Sequence, residues 1–241
     1  MGVLGDGGYV VWLGEGCNRN DFDAYISAGI GTEESFTWDF LTWWRQGRRR
    51  GQNIPAYAFD GTVETYPIQY VPHGAYIEFI KRNIGAKVTD TCVNLHRLIA
   101  QYHDIFLKMD IEGGEYEWLV SLTDEQMIHF REIVVEFHDI NTTKDFPIVW
   151  DKIQKTHWIV HIHGNNYGGV RIWDGRPNVI EVTLVKKGIN TSELELPKWD
   201  YIAECDIHIH PIIGLDWPNC SMQDDLVFSS ISSPSSKAMT T

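Results

Sequence analysis

The chain predicts an α/β fold built on a mostly parallel sheet of about seven strands with helices on both faces, and three observations predict it. At 241 residues it is long enough for one domain with a sizeable apolar core. From Phe22 to Lys187, short apolar runs alternate with amphipathic stretches, the pattern of successive βαβ units. The apolar runs also end, one after another, on glycine, carboxylate, imidazole or amide residues. That is where an open parallel sheet presents groups to a ligand.

Taken in order, residues 23–28 form the first strand and stop at Gly29, Ile30, Gly31 and Thr32. Glu33, Glu34 and Ser35 open a helix whose apolar positions Phe36, Phe40, Trp43 and Trp44 recur at helical spacing. It ends in the solvated basic turn 46–51. Residues 54–59 are the second strand, closed by Asp60, and 68–71 a short third strand. Segments 74–84 and 92–102 read as helices, and 104–109 is the clearest strand, running into Asp110, Ile111 and Glu112. A further helix precedes the strand 133–137, which ends at His138 and Asp139. Segment 146–156 is helical, and 158–163 and 179–185 are the last strands. Residues 1–228 make a single domain, and 229–241, dominated by Ser, Pro and Thr, form a disordered tail.

Twenty Lys and Arg against 33 Asp and Glu leave a net charge of −13, which repels nucleic acid and anionic membrane alike. No apolar run reaches the roughly 18 residues of a membrane span, and the N-terminus lacks a secretory signal pattern, so a cytoplasmic location is expected. Asp6 stands where a myristoylation signal needs Ser or Thr. Cys17, Cys92, Cys205 and Cys220 have no metal-like or disulfide-like spacing and read as reduced thiols. In such a location the sequons at Asn141, Asn190 and Asn219 carry no glycan.

The strand ends carry the chemistry. Ser27, Gly29 and Gly31 form a turn that lets backbone approach a ligand at a helix N-terminus, and Asp60 could accept both hydroxyls of a ribose. Glu33 occupies a position where a dinucleotide fingerprint has glycine. With Glu34 and Asp110 nearby it disfavours a pyrophosphate and favours a phosphate-free nucleoside with a cationic head, of which S-adenosylmethionine is the natural candidate.

Six segments then carry a family resemblance: GDGGYV at 5–10, ISAGIG at 26–31 followed by Ser35 and Phe36, AFD at 58–60, LKMDIEGGE at 107–115, VVEFH at 134–138 and HIHGNN at 161–166. In this order they resemble the FkbM-type S-adenosylmethionine-dependent methyltransferases, and K-x-D-x-E-G-x-E at 108–115 is the most specific of them. The resemblance implies a Rossmann-like class I methyltransferase fold and O-methylation of a sugar or glycan. It also implies that the Gly29 and Gly31 turn, with Ser35, contacts the amino-acid part of the cofactor, Asp60 its ribose, and Asp90 the adenine surroundings. The stretch from Gly31 to Asp60, with Trp43, Trp44 and the Arg turn inside it, is long for the family pattern.

Methyl transfer to oxygen needs the acceptor hydroxyl aligned and relieved of its proton. Asp110, Glu112, His138 and His163 are the candidate catalytic residues. A divalent metal, Mg or Mn, held by Asp110, Asp139 and Asn165 could serve instead. The pairs His161 with His163 and His208 with His210 each place two imidazoles on one side of a strand; the first reads as hydrogen-bonding substrate or structure and the second as a structural pair, with a metal-dependent enzyme as the competing expectation. Trp12, Trp38, Trp43, Trp44, Trp173 and Trp217 read as core residues, or as stacking surfaces for a sugar, which would also suit a non-catalytic glycan-binding module. The closeness of the 5–10 segment to Met1 leads us to expect a domain of a larger glycan-synthesising polypeptide.

Overall fold

The computed structural model describes residues 1–2, 8–12, 19–46, 48–49, 52–165, 168–169, 171 and 177–189, with the backbone of Leu226 and Val227. The expected tail 229–241, the 5–7 part of the first matched segment, His208, His210, Trp173, Trp217, Asn166, Cys17, Cys205 and Cys220 lie outside the described residues. Cys92 is a free thiol.

The strands are β1 (Ala24–Ala28), β2 (Ala56–Phe59), β3 (Glu78–Ile80), β4 (Asn83–Ile84), β5 (Cys92–Val93), β6 (Ile105–Met109), β7 (Phe130–Phe137), β8 (His157–Gly164), β9 (Ile180–Lys186) and β10 (Leu226–Val227). The α-helices are α1 (Ser35–Arg45), α2 (His96–Ile99), α3 (Glu115–Ser121), α4 (Asp124–Met127) and α5 (Phe146–Thr156). One eight-stranded sheet runs β10-β8-β9-β7-β6-β1-β2-β3, and β4 pairs with β5 apart from it. Neighbours from β3 through β7 are parallel, while β9 runs antiparallel to both β7 and β8. The sheet is thus α/β and mostly parallel, consistent with a Rossmann-like fold. Its order reverses between β1 and β6: the chain steps outward from β1 to β3, then returns to the other side of β1.

Strand alternation divides the apolar residues into two clusters. Ala24, Ile26 and Ala28 of β1, Ile105, Leu107 and Met109 of β6, and Ile133, Val135 and Phe137 of β7 pack with Ile99, Trp118, Leu119, Met127, Val149 and Ile153 from α2 to α5. Their alternates Tyr25, Phe106 and Val134 pack with Phe36, Phe40, Leu41 and Trp44 of α1. The helical spacing read in α1 therefore marks a buried stripe, and Tyr25 stacks on Phe40 with ring centres 4.5 Å apart.

Three readings are corrected. Residues 68–71 are not a strand: Ile68–Tyr70 is a single 3-10 turn after Pro67, with Ile68 80% exposed and unsupported by any neighbouring strand. Segment 74–84 is not a helix but holds β3 and β4, because burial over 75–79 alternates with a period of two and β3 pairs with β2. Segment 92–102 is β5 and only the four-residue α2, because Leu95 between them takes a left-handed φ of 61°, which no helix propagates through. Helix α5 and strands β1, β6, β7 and β9 lie where the sequence places them, within a few residues.

Candidate active site

A cleft of about 560 Å³ opens at the carboxyl ends of β1, β2 and β6, beside the reversal of strand order. Gly29 to Glu34 form one wall, Phe59, Asp60, Thr62, Asn83 and Ile84 the opposite one, and Lys108, Asp110, Ile111 and Glu112 the third. The position follows from the topology. The loop leaving β1 leads to α1 on one side and the loop leaving β6 to α3 on the other, and the cleft lies between them.

The glycine turn is locked by carboxylates. One oxygen of Asp60 accepts from the N–H groups of Ile30 (3.1 Å) and Gly31 (3.0 Å), and the other from the N–H and hydroxyl of Thr62 (2.6 Å each) and the N–H of Val63. Burial alone would raise the Asp60 pKa, but hydrogen bonds from Thr62, Gly31 and Val63 outweigh it and hold the carboxyl below its usual range. Gly29 and Gly31 adopt positive φ of 73° and 50°. A Cβ on Gly29 would lie 1.5 Å from the carbonyl oxygen of Asp110, so β1 and β6 meet there at a distance only glycine permits. Lys108, almost fully buried, donates to the Gly29 carbonyl at 2.7 Å and lies 4.0 Å from both Glu34 and Asp110. Burial raises the Glu34 pKa, against the opposing pull of Lys108 and the hydroxyls of Thr37, Ser27 and Tyr66.

Across the rim, the ends of β6 and β7 bring Asp110, Glu112 and His138 together. The His138 Nε2 atom is 3.4 Å from Glu112 and 3.8 Å from Asp110, and its Nδ1 is 3.3 Å from fully buried Glu115. Glu136 lies 3.6 Å from Nε2. Burial lowers the His138 pKa, but the Glu115 hydrogen bond and charge, with Glu136 and Asp110, more than reverse this and push it up to about 9. The surrounding carboxylates thus favour the protonated imidazole, and any group that binds at Nε2 must displace that proton. Glu112, within this cluster, and Asp139, next to His138 in the chain, hold left-handed φ of 57° and 52°. Further across the sheet, the Tyr9 hydroxyl donates to Glu136 (3.2 Å) and Asp110 (3.4 Å), and the Asn165 amide donates to Glu136 and Glu181.

Of the expected residues, Gly29, Gly31, Asp60, Asp110 and Glu112 line the cleft and His138 sits at its rim. Ser27 does not reach it: it points with Tyr25 under α1, is fully buried and donates to Glu34. Ser35 begins α1 outside the lining, its N–H given to Glu33. Asp90 is exposed between β4 and β5, and Asn83 and Ile84 form that wall instead. His163 lies on β8, separated from β7 by β9, with its ring parallel to that of His161 at 6.5 Å. Of the expected metal set of Asp110, Asp139 and Asn165, Asp110 alone lines the cleft. Asp139 is exposed, and Asn165 turns its amide nitrogen toward carboxylates and its oxygen to the N–H of Gly168. Among the described residues, the three-ligand group is Asp110, Glu112 and His138, and it includes neither His161 nor His163.

Sequence reasoning missed Lys108, Glu115, Glu136, Glu181 and Tyr9. Glu136 carried a signal: Glu132, Val134 and Glu136 alternate against Ile133, Val135 and Phe137, and a charged residue at a fully buried strand position needs a reason. No described tryptophan lines the cleft. No protein-family model matches the chain, and no curated protein matches it. Among the described residues no helix is long and apolar enough to cross a membrane.

Proposed function

We propose that the chain is an S-adenosylmethionine-dependent O-methyltransferase of the class I kind, acting on a hydroxyl of a sugar or glycan. The observation that carries this reading is the charge of the cleft at the strand-order reversal. Glu33, Glu34, Asp60, Asp110 and Glu112 line it, and the one lysine lining it among the described residues, Lys108, is turned onto the Gly29 carbonyl. A pyrophosphate would meet five carboxylates against a single lining lysine already engaged by the Gly29 carbonyl, whereas a sulfonium and an ammonium are attracted. Packing of α1 with one set of alternate strand residues and of α2 to α5 with the other supports a doubly wound, class I architecture. The sugar acceptor rests on the six matched segments.

When bound, the cofactor supplies an electrophilic methyl on sulfur: the S–CH₃ bond breaks as the O–CH₃ bond forms, sulfur keeps the electron pair, and the acceptor proton leaves to a base or water. Asp60 holds the glycine turn in the shape that receives the cofactor. Asp110 and Glu112 stand where an acceptor hydroxyl would enter from the rim, and Tyr9 closes the interior side above Asp110 and Glu136. Calorimetric titration with S-adenosylhomocysteine tests the reading. Binding with a Kd on the order of 1–100 μM is expected, and no heat from folded protein overturns it. Labelled cofactor offered with a panel of sugars then identifies the acceptor.

A further inference from the structure

We propose that Asp110, Glu112 and His138 form a site for a divalent transition cation on the rim of the cleft, where β6 and β7 end. One carboxylate oxygen from each acid and one imidazole nitrogen all lie within 4.8 Å of one another. Donors at ~2.0–2.2 Å from a shared ion stand about 3–4.5 Å apart, so little movement separates this arrangement from coordination. The Nε2 atom of His138 is 3.8 Å from Asp110 Oδ1 and 3.4 Å from Glu112 Oε2.

Two further observations point to an ion rather than to a solvated acidic patch. Asp110 Oδ1, the oxygen that faces Nε2, is shut off from solvent and has no hydrogen-bond partner among the described residues. The second is Glu115, fully buried, whose carboxylate is aimed at the imidazole. Its Oε1 is 3.3 Å from Nδ1 and is fixed by the N–H groups of Ile111 and Gly113, while its Oε2 has no hydrogen-bond partner among the described residues. A carboxylate behind one nitrogen of a histidine, with the other nitrogen facing carboxylate oxygens, is the arrangement that orients an imidazole toward a metal.

Two hard oxygen donors and one nitrogen suit Mn²⁺ better than Mg²⁺ or Ca²⁺, which prefer oxygen alone. Three protein ligands leave open positions of an octahedron for water or for hydroxyl oxygens, and a hydroxyl held there would lose its proton more readily than in bulk water. That the hydroxyl is the methyl acceptor's rests on the methyltransferase reading; the cation site does not.

Chelator-treated full-length protein titrated with Mn²⁺, read as loss of the free-ion EPR signal, tests the site. Saturable binding is expected, with a pulsed-EPR nitrogen coupling that disappears in His138→Gln. Glu112→Gln, at a side chain 85% exposed and so without consequence for folding, and Asp110→Asn should each weaken binding about ten-fold or more. Glu125→Gln, the same charge change at an exposed position of α4, should leave it unchanged. Absence of Mn²⁺ binding by folded wild-type protein, or equal binding by Glu112→Gln, overturns the site. Homocysteine-cofactor calorimetry on the same preparations separates the two claims: S-adenosylhomocysteine bound without Mn²⁺ removes the cation site alone, and Mn²⁺ bound without S-adenosylhomocysteine removes the methyltransferase reading alone.

Discussion

Gly29 and Asp60 together show how single residues set the cleft. Gly29→Ala would drive a methyl group into the Asp110 carbonyl and place alanine at a φ of 73°. We expect a loss of about 3 kcal/mol or more in urea denaturation. Asp60→Asn substitutes an amide nitrogen, a donor, where backbone N–H groups now donate, so a loss of about 1–3 kcal/mol is expected. The released glycine turn should weaken S-adenosylhomocysteine binding about ten-fold by calorimetry, a loss of ~1.4 kcal/mol. The Asp60 carboxyl is held below its unfolded value of 3.8. Its stabilising contribution is therefore present above that value and lost as pH falls through the folded one, and cofactor affinity should fall over the same acid range. Both residues were visible in the sequence as strand ends. Their roles were not, since Asp60 spends its oxygens on backbone N–H groups and the Thr62 hydroxyl, and a separation of 30 residues that includes α1 and β2 gives no sign of which groups it will fold against.

At the level of elements, α5 and β8 meet at His157, whose neutral imidazole donates from Nε2 to the Phe130 carbonyl (2.9 Å) and accepts at Nδ1 from the Thr156 hydroxyl (2.9 Å). Burial drives its pKa down to about 4, with the Phe130 carbonyl opposing and Lys186 and Lys187 reinforcing the shift. For a histidine lowered from 6.5, stability is complete above 6.5 and declines as pH falls toward 4. The loss is on the order of 3 kcal/mol. His157→Gln should flatten chemical-denaturation stability across that window, while wild-type protein loses stability there; parallel slopes for the two would remove this assignment. Strand β6 and helix α5 were legible because their periodicity is undiluted by function. Edge strand β3 was not, because its half-exposed alternation over only a few residues mimics one helical turn, and its identity comes from pairing with β2.

For the whole molecule, the charge of −13 matters through its placement. Phosphate-bearing cofactors such as NAD or ATP should show at least about ten-fold weaker binding than S-adenosylhomocysteine in the same calorimetric series, because the carboxylates of the cleft act on the ligand at close range. Equal affinity would remove the electrostatic basis of the cofactor reading. By itself the sequence determined the alternation of strands and helices, the buried stripe of α1, and the strand ends at which Gly29, Asp60, Asp110 and His138 would lie, since these depend on local periodicity and on where apolar runs stop. Only the tertiary structure decided that Ser27 faces Glu34, that His163 stands with β8 away from the cleft, and that Glu115 backs His138 against Asp110 and Glu112. Strand order brings together residues far apart in the chain, and local pattern carries no record of which strands become neighbours.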